Sequence, residues 1–235
     1  MKRKTLTLTI CFLALISIVS IGFASWVISR PVADSFQAGS ISAEAVNVDE
    51  LSIELTWEGS TTIHYGKPNP VGDYTYNWLS NTSDLDENLS VTLEIKLDGN
   101  LSRISGLNLT MFIPETAEAT SGPKLTELSH AFGRAYESEY ITLPKVTIGD
   151  STVTYDVNSG FSIDAGLFTE SNSYTISVTF TFGWGTKFGG VNPLEHFNGM
   201  PHTEDNENAA KTALEAIYEL QGLSYKVKVA PVLAS

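Results

Sequence analysis

Tyr174-Thr175-Ile176-Ser177-Val178-Thr179-Phe180-Thr181-Phe182 alternates without a break between large apolar side chains and small hydroxyl ones. Successive side chains of a strand point to opposite faces, so a period of two lines one face with apolar groups and leaves the hydroxyls in water. The same alternation recurs at Leu51, Ile53, Leu55 and Trp57, and at Val91, Leu93, Ile95 and Leu97. It recurs again at Leu107, Leu109, Met111 and Ile113, and at Leu223, Tyr225, Val227 and Val229, where Lys226 and Lys228 face outward. Weaker runs cover residues 41–48, 140–148 and 152–157, the last two joined by a hairpin turn at Gly149-Asp150. At least eight strands with polar outer faces are expected. Parallel strands are covered on both sides and read as continuous apolar runs instead. The expected fold is therefore all-β, an antiparallel two-sheet sandwich of jelly-roll type.

One helix breaks the pattern near the C-terminal end. Asn206 or Asn208 is placed to cap it, Glu207 sits at the positive end of its dipole, and Gly222 stops it. Ala210, Ala213, Leu214, Ile217 and Leu220 share one face, which suits a helix covering an edge or end of the sandwich. A shorter helical turn is expected around residues 125–131.

The first 24 residues have a different character. Lys2, Arg3 and Lys4 form a basic cluster, residues 5–23 are apolar with only Thr and Ser among them, and Gly22-Phe23-Ala24 supplies small residues where a signal peptidase reads. A basic start, an apolar core and a small-x-small exit form a secretory signal. Cleavage is expected between Ala24 and Ser25; the alternative is an uncleaved anchor helix, since about 20 apolar residues span a bilayer. Either outcome leaves the basic end inside and exports the rest, with membrane contact only through an uncleaved N-terminal segment. The expected organisation is a signal over 1–24, a mature N-terminal segment over 25–38 and one β-sandwich domain over 39–235, located outside the cell or on its surface.

The whole chain carries 14 Lys and Arg against 27 Asp and Glu. Loss of the three basic leader residues leaves 11 against 27, a formal charge of −16. So acidic a domain does not suit nucleic acid, whose phosphates need a basic face, nor anionic lipid head groups. Cys11, the single cysteine, lies in the leader, so the mature domain has no disulfide and no thiolate chemistry. A cysteine-free exported domain long enough to bury a proper core points to a bacterial exoprotein.

Candidate chemistry is sparse. His196 and His202 share a stretch with Glu195, Glu204 and Asp205, and His196, His202 and Glu204 would be the ligands of a divalent metal. The spacing matches no helix-borne protease motif, and no H-E-x-x-H occurs. Asp84, Asp86 and Asn88 alternate like the first ligands of a calcium loop, but Leu89 stands where the turn glycine belongs. The run from Gly183 to Gly190 is glycine-rich without the Gly-Lys-Ser/Thr ending of a phosphate loop; it reads as a tight corner against which Trp184 and Phe188 pack. No G-x-S-x-G elbow is present, and no constellation amounts to a catalytic site. Tyr65, Tyr74, Tyr76 and Trp78 read as an exposed aromatic group that would contact carbohydrate or protein, or else cover one end of the core.

The leader ending at Gly22-Phe23-Ala24 is followed by Ser25-Trp26-Val27-Ile28 and then by Phe36-Gln37-Ala38-Gly39-Ser40-Ile41. This succession resembles the entry to the TasA/camelysin-like family of bacterial surface proteins, over roughly the first 55 residues. The resemblance implies a jelly-roll subunit, released by a dedicated signal peptidase and self-associating into fibres of the biofilm matrix. It also implies that the freed segment, with Trp26, Val27 and Ile28, completes the sheet of a neighbouring copy. An extended segment gains main-chain hydrogen bonds at a sheet edge, and head-to-tail contacts of this kind propagate. Camelysin-type relatives imply the alternative of a surface metalloprotease, with His196 and His202 as its first ligands. A polysaccharide-binding sandwich is the third reading.

Overall fold

A computed structural model describes residues 39–48, 50–66, 79, 87–116, 118–153, 155–168 and 172–234. The signal or anchor helix, the cleavage site at Ala24 and Ser25, and the Trp26-Val27-Ile28 segment lie outside these residues. The described part belongs to one compact unit, residues 37–235.

Among the described residues ten strands follow in chain order: β1 (Gly39–Ala45), β2 (Leu51–Glu58), β3 (Thr62–Ile63), β4 (Ser90–Gly99), β5 (Ile104–Phe112), β6 (Ile141–Ile148), β7 (Ser151–Val153), β8 (Phe161–Asp164), β9 (Ser173–Trp184) and β10 (Ser224–Leu233). They form two five-stranded sheets, ordered β3-β1-β10-β5-β8 and β2-β4-β9-β6-β7. The protein is an all-β two-sheet sandwich. The alternation along β9 buries Ile176, Val178, Phe180 and Phe182, and β4 buries Val91, Leu93, Ile95 and Leu97. From the other sheet, Leu107, Leu109 and Met111 of β5 and Tyr225, Val227 and Val229 of β10 complete the core.

The strand order contains a jelly roll with two additions. Without β1 and β2, the sheets read β3-β10-β5-β8 and β4-β9-β6-β7. In that arrangement β3 faces β10, β4 pairs with β9, β5 with β8 and β6 with β7, as in a long hairpin rolled into two layers. β2 extends the second sheet beyond β4. β1 sits in the seam, between the first and last strands of the roll.

The two sheets are antiparallel as expected apart from one pairing, in which β1 runs parallel to β10, from Ser40 opposite Ser224 to Ala45 opposite Val229. Its other neighbour, β3, is antiparallel to it. Two more departures have local causes. The run expected over 152–157 ends at Val153, because the Asp156 carboxylate accepts from the amides of Asn158 and Ser159, both at 2.8 Å, and turns the chain. The last strand runs on past Val229 through Pro231 to Leu233. Beyond Val229, β10 has a partner on one side only among the described residues, which is where a proline is tolerated.

Among the described residues three α-helices are present rather than one helix and a turn: α1 (Ala131–Glu137), α2 (Pro193–Phe197) and α3 (Glu204–Glu219). α3 carries the expected buried face, Ala210, Ala213, Leu214 and Ile217. Its cap is Thr203, whose hydroxyl accepts from the Asn206 amide, so neither Asn206 nor Asn208 is the cap. The turn expected around Leu125 leads into α1 instead. His130 caps that helix, its Nδ1 accepting from the Gly133 amide at 3.1 Å. The glycine-rich stretch is a corner as expected: Gly189 and Gly190 adopt φ of 66° and 82°, and Trp184 packs edge-on against Phe188.

Candidate functional site

The most unusual place in the fold is the seam filled by β1, and its construction starts at the glycine of the Phe36–Ile41 stretch. A Cβ on Gly39 would lie 2.5 Å from the Leu223 carbonyl oxygen and 2.9 Å from that of Ile63, so only glycine fits where the chain enters between β10 and β3. The Ser40 amide then donates to Leu223 O at 3.2 Å, Ile41 N to Thr61 O at 2.9 Å, and Val46 N to Val229 O at 2.9 Å.

The strand's side chains hold it lightly. Ile41 is the one fully buried apolar side chain it contributes, worth about 2 kcal/mol. The two inward positions that follow, Ala43 and Ala45, are small and half-buried. On the outer face the strand makes one strong contact. Lys226 Nζ lies 2.8 Å from Glu44 Oε2 and donates to the Ala119 carbonyl at 2.8 Å. The sequence places Lys226 outward, and it does point out of the sandwich. It is nevertheless buried, because the connection after β5 folds over it, anchored by the Ile113 amide on Pro123 O. Glu44 stands opposite Lys228 in the ladder, yet it is the Lys226 ammonium that reaches its carboxylate.

At the same end of the sandwich as Gly39, an aromatic cluster closes the core. Tyr65 is 2% exposed and packs on Trp184 at 5.3 Å and Phe182 at 6.5 Å, so of its two readings it takes that of covering one end of the core rather than that of an exposed contact. Tyr74, Tyr76 and Trp78 lie outside the described residues. The hydroxyls of Tyr65 and Tyr225 are buried without a hydrogen-bond partner among the described residues, and burial raises both pKa values.

Trp184 Nε1 donates to Glu87 Oε2 at 2.7 Å. Withdrawal of that carboxylate from water raises its pKa, an effect that the Trp184 hydrogen bond and nearby His64 oppose and Glu195 reinforces. The native state therefore holds this proton to higher pH than the unfolded chain does. The contribution of Glu87 to stability falls as pH rises from about 4.5 through the raised native value. Glu87→Gln keeps an acceptor for the indole and is expected to flatten that slope, read as unfolding midpoints between about pH 4 and pH 7. An unchanged slope would assign the pH dependence to another group.

The residues proposed for metal do not come together. His196 lies in α2 with its ring against Phe197 at 4.9 Å and Phe188 at 5.8 Å. His202 has Nδ1 3.8 Å from Glu207 Oε1, and Glu204 opens α3. Among the described residues no group of three or more His, Cys, Asp or Glu is placed to hold a metal ion. Of the calcium candidates, Asp84 and Asp86 lie outside the described residues. Asn88 is a strut: its backbone pairs both ways with His64, and its Nδ2 donates to Thr62 O at 2.6 Å. Among the described residues no helix is long and apolar enough to cross a membrane.

No family model matches the chain, and neither a curated protein nor a solved structure matches it.

Proposed function

We propose that this chain is an exported bacterial surface protein, a structural subunit that assembles with copies of itself by N-terminal strand exchange, as the TasA/camelysin-like resemblance implies. The observation that carries the reading is the lightly anchored, parallel strand β1 wedged into the seam of the roll, directly after the 25–38 segment. A sandwich whose seam is closed by its own N-terminal strand offers a neighbour's strand the same ladder of main-chain groups. One-way exchange of such strands builds a filament, because each copy donates at one place and accepts at another.

The test is electron microscopy of the processed chain, beginning at Ser25, beside a version lacking residues 25–38. Fibres are expected from the first and not from the second. Failure of the intact processed chain to form fibres under any salt or pH condition, or equal fibre formation by the truncated one, would overturn the proposal.

A further inference from the structure

We infer that the Glu44–Lys226 pair is the recognition element of this exchange: a copy accepts the arm of another only if that arm brings a carboxylate to its buried Lys226. The inference rests on the strand-exchange reading and extends the exchanged arm from the 25–38 segment through β1.

Once β1 is withdrawn, strand spacing leaves a slot about 9–10 Å wide where β3 stands across from β10, opposite Gly39 and Ser40, room for one extended chain. From there to Ala45, among the described residues, β10 alone offers its ladder. The apolar walls of that slot select weakly, because its native occupant fills it with Ile41 and two alanines. Charge selects strongly. Lys226 is 8% exposed and has two partners, Glu44 Oε2 and the Ala119 carbonyl, each at 2.8 Å. An occupant with a neutral residue at the position of Glu44 leaves a buried ammonium on a single carbonyl. One with a basic residue sets like charges together under the cover of the connection after β5. A second copy of this chain brings the acid in the right register.

A hinge for the exchange is also in place. β1 is joined to β2 by a short connection from Val46 to Glu50, and Glu50 holds φ of 65°, a left-handed conformation that a side chain with a Cβ disfavours. The conformation is kept by contacts at the base of β2: the Asn100 amide donates to Glu50 O at 3.1 Å, and Arg103 Nη1 lies 3.1 Å from Glu50 Oε2. A short connection under strain favours the swapped arrangement, in which it can straighten.

The experiment uses processed chains bearing Glu44→Lys, Lys226→Glu, or both, followed by sedimentation and electron microscopy. Each single variant alone is expected to give no fibres, since its own arm and its own slot carry like charges. Mixed one to one, the two variants are expected to assemble. The arm bearing Glu44→Lys suits the slot bearing Lys226→Glu, and the unaltered arm of the second variant suits the unaltered slot of the first. The double variant is expected to assemble with itself but to enter wild-type fibres about tenfold less than wild-type chains do, measured with two fluorescent labels. This last comparison stands even if the single variants fail to fold. Free copolymerisation of the double variant with wild type, or fibres from either single variant at wild-type levels, would overturn the pair as the recognition element while leaving strand exchange intact. Absence of fibres from wild type would instead remove the reading on which it rests.

Discussion

Replacement of Lys226 by methionine is expected to lower the free energy of unfolding by about 3 kcal/mol, read as a lower denaturant midpoint at an unchanged slope. Loss of the ammonium strands two groups at once. The Glu44 carboxylate loses its counter-charge, and the Ala119 carbonyl loses its donor. Measured costs of unpairing a buried ion pair run to about 5 kcal/mol. The lower figure applies because Glu44, with its side chain 22% exposed, keeps some water when left alone. Glu44→Ala strands the more deeply buried partner, whose side chain is 10% exposed, and is expected to cost at least as much. Lys226→Met combined with Glu44→Leu is expected to recover most of the loss, since an apolar pair of similar size needs neither desolvation nor a counter-charge. Incomplete burial predicts another result: a loss under about 1 kcal/mol, the value of an exposed ion pair, would show the ammonium solvated in solution.

Lys226 also marks where sequence reasoning stops. Alternation along Leu223, Tyr225, Val227 and Val229 places it correctly on the outer face of β10. A period of two reports which face a side chain takes, and says nothing of what folds over that face later. The cover comes from Ala119, more than a hundred positions away in the chain. The same limit explains β1. Its small, hydroxyl-rich sequence alternates well enough to read as a strand, but a parallel neighbour is decided by the seam into which it fits. The two-residue β3 and four-residue β8 are too short for any period to show. α2 did leave a local signal, Asn192 as cap followed by Pro193 at the first helical position. The long amphipathic strands β2, β4 and β9 are readable because their alternate positions reach water, whereas β5 shows its inward Leu107, Leu109 and Met111 but not that Phe112, on its other face, is buried as well. The metal candidates were grouped by nearness in sequence, and α2 and α3 then place His196 and Glu204 on separate elements.

Truncation of Phe182 to alanine is expected to cost about 4 kcal/mol, in the range of large-to-small changes in close-packed cores. Phe182 is 2% exposed and bridges both sheets and a helix. From β9 its ring meets Tyr225 of the opposite sheet at 5.1 Å, Phe132 of α1 at 6.2 Å and Tyr65 after β3 at 6.5 Å. Phe132 and Tyr225 also touch one another, at 6.0 Å, so the three rings form a closed triangle across both sheets and the helix. Such a group repacks poorly, because each ring is fixed by two others, and the cavity left behind stays open. Ordinary domains are stable by about 5–15 kcal/mol, so the variant should unfold at a much lower denaturant concentration while keeping its strand content below that point. Thr181→Ala, one residue earlier on the exposed face of the same strand, is the control, expected to change stability by under about 0.5 kcal/mol. If Phe182→Ala costs no more than about 1 kcal/mol, far below the usual loss for a buried ring, the aromatic end of the sandwich is not close-packed in solution. The β1 slot, which borders Tyr225 through Ile41, would then be looser than its hydrogen bonds imply.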